Sequence, residues 1–192
     1  MYFNKSLFFT LFLCLFVYSC QQKDIYEDIS FNNNILEKIN INAESKEIIN
    51  LNEIKFSEPF IDHVMEIHPA ERVESWINEN IFTFGSINRL VINIYDISVT
   101  QNDLPVENKN KFIENKENIY EIKILVGYIL LDENDYVLST TKVEVKRSTT
   151  SKDFISLSER NRTLDLLVFE ALKDLSKKSV ELINKHMVDY VI

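Results

Sequence analysis

Glycine and proline are nearly missing from this chain, with two of one and three of the other in 192 residues. Two isolated glycines exclude the glycine-rich loops whose backbone N–H groups cradle phosphates. They also leave no Gly-x-Ser-x-Gly elbow to present a nucleophilic serine. Cysteine is equally scarce: Cys14 and Cys20 are the only two. Everything after Cys20 therefore lacks both a thiol nucleophile and the means to form a disulfide, so it must fold on its core alone. Positive charge is short as well, 21 Lys and Arg against 30 Asp and Glu for a net of −9. Such a surface repels phosphate backbones and gives nucleic acid no basic footprint.

What is present begins with grease. Leu7 to Tyr18 reads LFFTLFLCLFVY behind a single charge, Lys5. About 12 residues make roughly 18 Å of helix, too short for a hydrocarbon core of about 30 Å but the length of a secretory h-region. Val17-Tyr18-Ser19-Cys20 then resembles the bacterial lipobox, although Tyr18 is larger than the residue usual at that place. The resemblance implies cleavage after Ser19 and a diacylglycerol on the Cys20 thiol, with acyl chains holding the chain to a membrane. By the same resemblance to Gram-negative lipoproteins, Gln21 in place of Asp implies transfer to the outer membrane, facing the periplasm. Removing residues 1–19 deepens the net charge to −10, because Lys5 leaves with them.

The remainder divides into two parts. Residues 20–46 are polar and Asn-rich without a sustained apolar period, which predicts a flexible tether. Residues 47–192 are expected to form a single α+β domain. IINLNEIKF predicts a strand with a bulge, since its apolar positions slip from Ile49 and Leu51 to Ile54 and Phe56. Pro69 and Glu71 predict the first turn of a helix whose inner face carries Val73, Trp76, Ile77, Ile81 and Phe84. Gly85 is placed where a helix end would use a positive φ. Arg89–Thr100 is β-branched and reads as a strand, and Asn102–Asn118 as a long charged loop. Tyr120–Leu130 alternates strictly, turns at Asp132–Asp135, and returns through YVLSTTKVEVKRS as a hairpin partner. Ser156 to Glu159 is a capping box for a helix reaching about Asp189, at about 50 Å too long for the domain beneath it, so its last turns bend back or project. The order strand-helix-strand-strand-strand-helix predicts an antiparallel four-stranded sheet with two helices on one face.

Chemistry has few places to sit. Asp62-His63-Val64-Met65-Glu66-Ile67-His68 offers two imidazoles and two carboxylates. The histidines are five apart, however, about 140° around a helix and on opposite sides of a strand, unlike the i, i+4 pair of a zinc helix. Asp96 interrupts an apolar strand and reads as a bulge or edge position. No catalytic residue, metal ligand or cofactor site is expected. Arg147, Arg160 and Arg162 form the densest cationic group and are the candidate partner contacts. They either meet an anionic partner or pair with local acids such as Glu159 and Asp165.

The stretches FSEPFIDHVMEIHPAERVESWINE, VINIYDISVT and STTKVEVKRSTT resemble a family of uncharacterised proteobacterial envelope lipoproteins. The layout is similar to auxiliary lipoproteins of ABC-type lipid transport and to the lipoprotein of lipopolysaccharide assembly. The resemblance supplies no catalytic residues. The preferred expectation is a membrane-anchored, non-enzymatic accessory module of a cell-envelope complex, with an envelope protein as partner and the loop at Asn102–Asn118 and the end of the last helix as its contact surfaces. A periplasmic carrier of lipid or small ligand is the alternative.

Overall fold

The computed structural model describes residues 29, 31–104 and 117–192. The leader, Cys20 and most of the charged loop within Asn102–Asn118 lie outside them. Strands β1 (Ile39–Ile41), β2 (Ser45–Asn50), β3 (Ile81–Thr83), β4 (Arg89–Leu104), β5 (Glu117–Leu131) and β6 (Val137–Lys152) combine with helices α1 (Pro69–Asn80) and α2 (Leu157–His186). The main sheet has four strands in the spatial order β2-β4-β5-β6, and β1 pairs with β3 in a small second sheet. The class is α+β.

The wholly antiparallel sheet expected from the hairpin pattern is not what forms. β4, β5 and β6 are antiparallel neighbours, but β2 runs parallel to β4, from Ser45 opposite Arg89 to Asn50 opposite Ile94. The cause is α1. A strand, a helix and a returning strand make a crossover connection, which brings the second strand back in the same direction as the first. The short pair β1 and β3 is likewise parallel, Ile39 opposite Ile81, and neither strand was foreseen.

Period-two alternation builds the core. Leu90, Ile92, Ile94, Ile97 and Val99 of β4, Tyr120 through Leu130 at even positions of β5, and Val143 and Val145 of β6 share one face and are buried. Val73, Trp76 and Ile77 of α1 and Leu164, Leu167, Val168, Ala171, Leu172, Leu175 and Ile183 of α2 join them in one cluster, so both helices cover the same side of the sheet. β4 shifts face without losing the pattern because a bulge falls between Ile94 and Asp96. Deep in this core the Tyr128 hydroxyl and Ser179 Oγ hydrogen-bond at 2.8 Å.

Several local expectations need correction. The first strand stops at Asn50: Asn50 Oδ1 accepts from Asn52 N, and Asn52 Oδ1 in turn accepts from Ile97 N at 2.7 Å. That side chain takes the ladder bond a continuing β2 would have made, so the chain leaves the sheet after Leu51, whose N still donates to Ile94 O at 2.9 Å, and Leu51, Ile54 and Phe56 are exposed. Gly85 does not cap α1, which ends at Asn80 with Ile81 as its C-cap in extended conformation, and neither glycine has positive φ. Its smallness has another use. A Cβ there would stand 2.6 Å from Asn42 Oδ1 and 2.7 Å from Ala43 N, where two backbone segments cross. Phe84, counted on the buried face of the helix, lies beyond it and is exposed.

Lys46 closes the end of α1 instead. It donates to the carbonyls of Ile77 at 2.8 Å and Ile81 at 2.7 Å, a cation at a helix C-terminus, and burial pulls its pKa down. The residues before β2 are not tether either. Leu36, Ile39, Ile41 and Ala43 are core, and Asn80 Nδ2 donates to the carbonyls of Asn33 and Leu36. Folded chain therefore starts by Asn33 rather than Glu47. The last turns after His186 bend back: Val191 bridges Ile41, and Ile192 N donates to Asn40 O.

Candidate functional site

The histidine segment forms a 3-10 turn, Asp62–Val64, leading into α1. His68 is the N-cap of that helix, and its Nδ1 accepts from Ala70 N at 3.1 Å. An accepting Nδ1 leaves the ring proton on Nε2, which donates to Asp62 Oδ2 at 3.1 Å. The Asp62 side chain is 1 % exposed, and its Oδ1 has no hydrogen-bond partner. His63 points away to solvent, its ring 5.5 Å from that of Phe56. The two imidazoles do not converge. Among the described residues no group of three His, Cys, Asp or Glu side chains is placed to hold a metal ion. The Asp62–His68 pair fixes a helix start.

The arginines are dispersed rather than clustered. Arg147 reaches across to α2, donating to Asp174 Oδ2 at 2.7 Å and to the Glu170 carbonyl at 3.2 Å, with Glu170 Oε2 at 3.5 Å. Its acids are a helix away in the fold, not the neighbours in sequence. Arg160 donates to Gln101 Oε1 at 3.1 Å. Arg162 and Asp165 each have partners of their own. The Arg147 and Arg160 contacts tie α2 to β6 and β4.

The outer face of the sheet is a broader feature, and the sequence marked it only as solvated. No helix covers it. Ser98, Thr100, Glu121, Lys123, Lys146 and Ser148 surround a groove of about 460 Å³ on this side. Lys123 and Lys146 are cross-strand partners, two like charges side by side. Each is neutralised by its own acid: Lys123 donates to Asp96 at 2.9 Å, and Lys146 pairs with Glu144 at 3.0 Å. The hydrogen bond to Asp96 raises the Lys123 pKa, and the bond from Lys146 lowers that of Glu144. Asp96 thus sits at a bulge and turns outward, as a polar interruption of a strand should. Beside the groove lie Tyr95, Leu125 and Ile129, all half-buried. A sequence signal existed for this stripe, since the odd positions of β5 include Leu125, Gly127 and Ile129 among charged residues.

No family model and no curated protein matches the chain. Solved structures that are similar in part include the following three. A minor lipoprotein from Acinetobacter baumannii shares 8% identity with a TM-score of 0.40, over 74% of this chain and 93% of that one. The rare lipoprotein B from Shewanella oneidensis shares 11% identity with a TM-score of 0.37, over 74% and 95%. A putative neuraminyllactose-binding hemagglutinin homolog from Helicobacter pylori shares 10% identity with a TM-score of 0.38, over 82% and 99%. Similarity of this degree assigns the chain none of those proteins' roles. Among the described residues no helix is long and apolar enough to cross a membrane.

Proposed function

We propose that the chain is an envelope lipoprotein, anchored through acyl chains on Cys20 at the outer membrane and facing the periplasm, which acts as a non-enzymatic accessory module docking on another envelope protein. The observation that carries this reading is the uncovered outer face of the sheet. It combines a half-buried apolar stripe with paired charges, the mixture expected of a reversible protein contact. Anchoring rests on the leader and on VYSC, and the folded chain follows Cys20 closely enough for the anchor to hold the domain at the lipid surface.

The carrier alternative requires an enclosed cavity of about 300 Å³ or more between helices and sheet. Trp76, Tyr120 and Tyr128 occupy that space with almost no exposure. The cavities of about 280, 300 and 650 Å³ lie instead at the edges, beside Phe31 and Arg72, beside Ile35 and Lys177, and beside Pro59 and Gln101. A packed core favours docking over carriage.

A photo-crosslinking residue placed at Leu125 or Lys146 in living cells tests the docking reading. One envelope protein should be captured from both positions and not from Glu181 on α2, and capture should survive His63→Ala and His68→Ala together. Equal labelling from all three positions sinks it. Radiolabelled palmitate that enters the protein, and fails to enter Cys20→Ser, tests the anchor separately.

A further inference from the structure

The connection between β2 and α1 exposes an unusual amount of apolar surface: Phe56 is 76 % exposed, Val64 57 %, Leu51 50 % and Ile54 46 %. Phe56 and the Asp62–Val64 turn are neighbours in space, because the His63 ring lies against Phe56. A monomer rarely leaves large apolar side chains gathered in this way without something to cover them.

The covering surface follows from where the anchored end of the chain meets the fold. Phe31 is fixed between the two helices, its ring 5.4 Å from that of Phe169 and 3.7 Å from the Arg72 guanidinium. Phe31 and Ile67 line the same cavity, and Ile67 is only four residues beyond His63. The chain therefore emerges from the fold next to the apolar connection. From Cys20 to Phe31 there are eleven residues. Fully extended, that length of chain spans at most about 36–40 Å. An anchor on Cys20 therefore keeps a bilayer within about 40 Å of Phe31, which lies on the side of the fold where Ile67 and this connection lie.

We propose that this connection is the lipid-facing surface of the protein, with Ile54, Phe56 and Val64 resting in the headgroup layer. The inference rests on the lipid anchor at Cys20. Glu53, Glu58 and Glu66 against the single Lys55 in this stretch make it acidic, so the lipid that suits it is zwitterionic rather than anionic. Held this way, apolar side chains at the interface add to the acyl chains as a second attachment and fix the orientation of the domain at the lipid surface. A competing apolar site is the turn between β5 and β6, where Tyr136, Val137 and Leu138 are exposed. It sits at the His186 end of α2, whose carbonyl accepts from Ser139. That end is seventeen residues from Phe169, about 26 Å along the helix.

Tryptophan fluorescence separates the two. The one native tryptophan, Trp76, is fully buried and provides a constant background. Full-length acylated protein carrying Phe56→Trp is reconstituted into phosphatidylcholine vesicles with brominated acyl chains, alongside protein carrying Tyr136→Trp. The expected result is a blue shift and a bromine-dependent loss of emission for Phe56→Trp, with Tyr136→Trp unchanged. Protein that floats with the vesicles while Phe56→Trp keeps its full emission, or loses no more than Tyr136→Trp, overturns the proposal and leaves the anchor intact. Protein that does not float removes the anchor reading and this inference together. Both positions are exposed, so unchanged thermal melts are expected and confirm that folding is not the variable.

Discussion

The ring of Tyr95 packs over Gly127 on the outer face of the sheet: a Cβ on that glycine would fall 2.6 Å from Tyr95 Cε2. Lys142 Nζ lies 4.8 Å from the same ring, and Asn93 Nδ2 donates to the tyrosine hydroxyl at 3.2 Å. The glycine in the middle of a strand is thus filled from the neighbouring strand. Gly127→Val should push the ring away and destabilise the fold by about 1–3 kcal/mol, read as a lower urea midpoint. Adding Tyr95→Ala to Gly127→Val should recover part of the loss. Strict additivity of the two changes would show that the contact does not exist in solution.

A buried hydroxyl pair invites a different cycle. Tyr128 and Ser179 satisfy one another, and both are fully buried. Ser179→Ala leaves the phenol without a partner and should cost about 1–3 kcal/mol, whereas Tyr128→Phe combined with Ser179→Ala removes both polar groups and should lie close to the native protein. Urea titrations of the three variants decide it: a double variant weaker than Ser179→Ala contradicts the pairing.

The same tyrosine sets a limit at alkaline pH. Burial pushes the Tyr128 pKa well above its ordinary value of 10.0. The unfolded chain then loses this proton at a lower pH than the folded protein does, so the stabilisation is complete below about pH 10 and falls as pH rises beyond it. Lys46, with its pKa lowered by burial, acts in the opposite sense near its ordinary value of 10.5. The difference between the native protein and Tyr128→Phe isolates the tyrosine. Between pH 9 and 11 the native midpoint should drop more steeply than that of the variant.

The elements visible in the sequence were those with long periodicity. β5 alternates over its whole length, Ser156 caps α2 with its Oγ accepting from Glu159 N at 3.1 Å, and Pro69 opens α1. What escaped notice was decided by distant partners. β1 and β3 are three residues each and exist only by pairing across forty residues of chain. The end of β2 depends on the Asn52 side chain meeting Ile97, and the role of Gly85 on its contact with Ala43. The cationic group looks dense in sequence because Arg160 and Arg162 are two residues apart, yet Arg147 faces Asp174 across the core side of the sheet. The Asn52, Gly85 and Arg147 contacts are made by side chains or crossings of chain that a periodic pattern does not encode.

The two histidines of the Asp62–His68 segment, equivalent in sequence, are expected to behave oppositely. His63 touches only the exposed ring of Phe56 among the aromatic groups, and His63→Ala should leave stability within about 0.5 kcal/mol of native. His68→Ala removes the acceptor that caps Ala70 N and strands the buried Asp62 carboxylate, so it should cost about 1 kcal/mol for the cap and more for the carboxylate. His68→Asn keeps a capping oxygen near the helix N-terminus and should restore the first part and not the second. Combining it with Asp62→Asn, which turns the stranded carboxylate into a neutral amide, should restore most of the remainder. If His68→Ala melts with His63→Ala, the imidazole is not the cap of α1, and the helix start must be held by Pro69 alone.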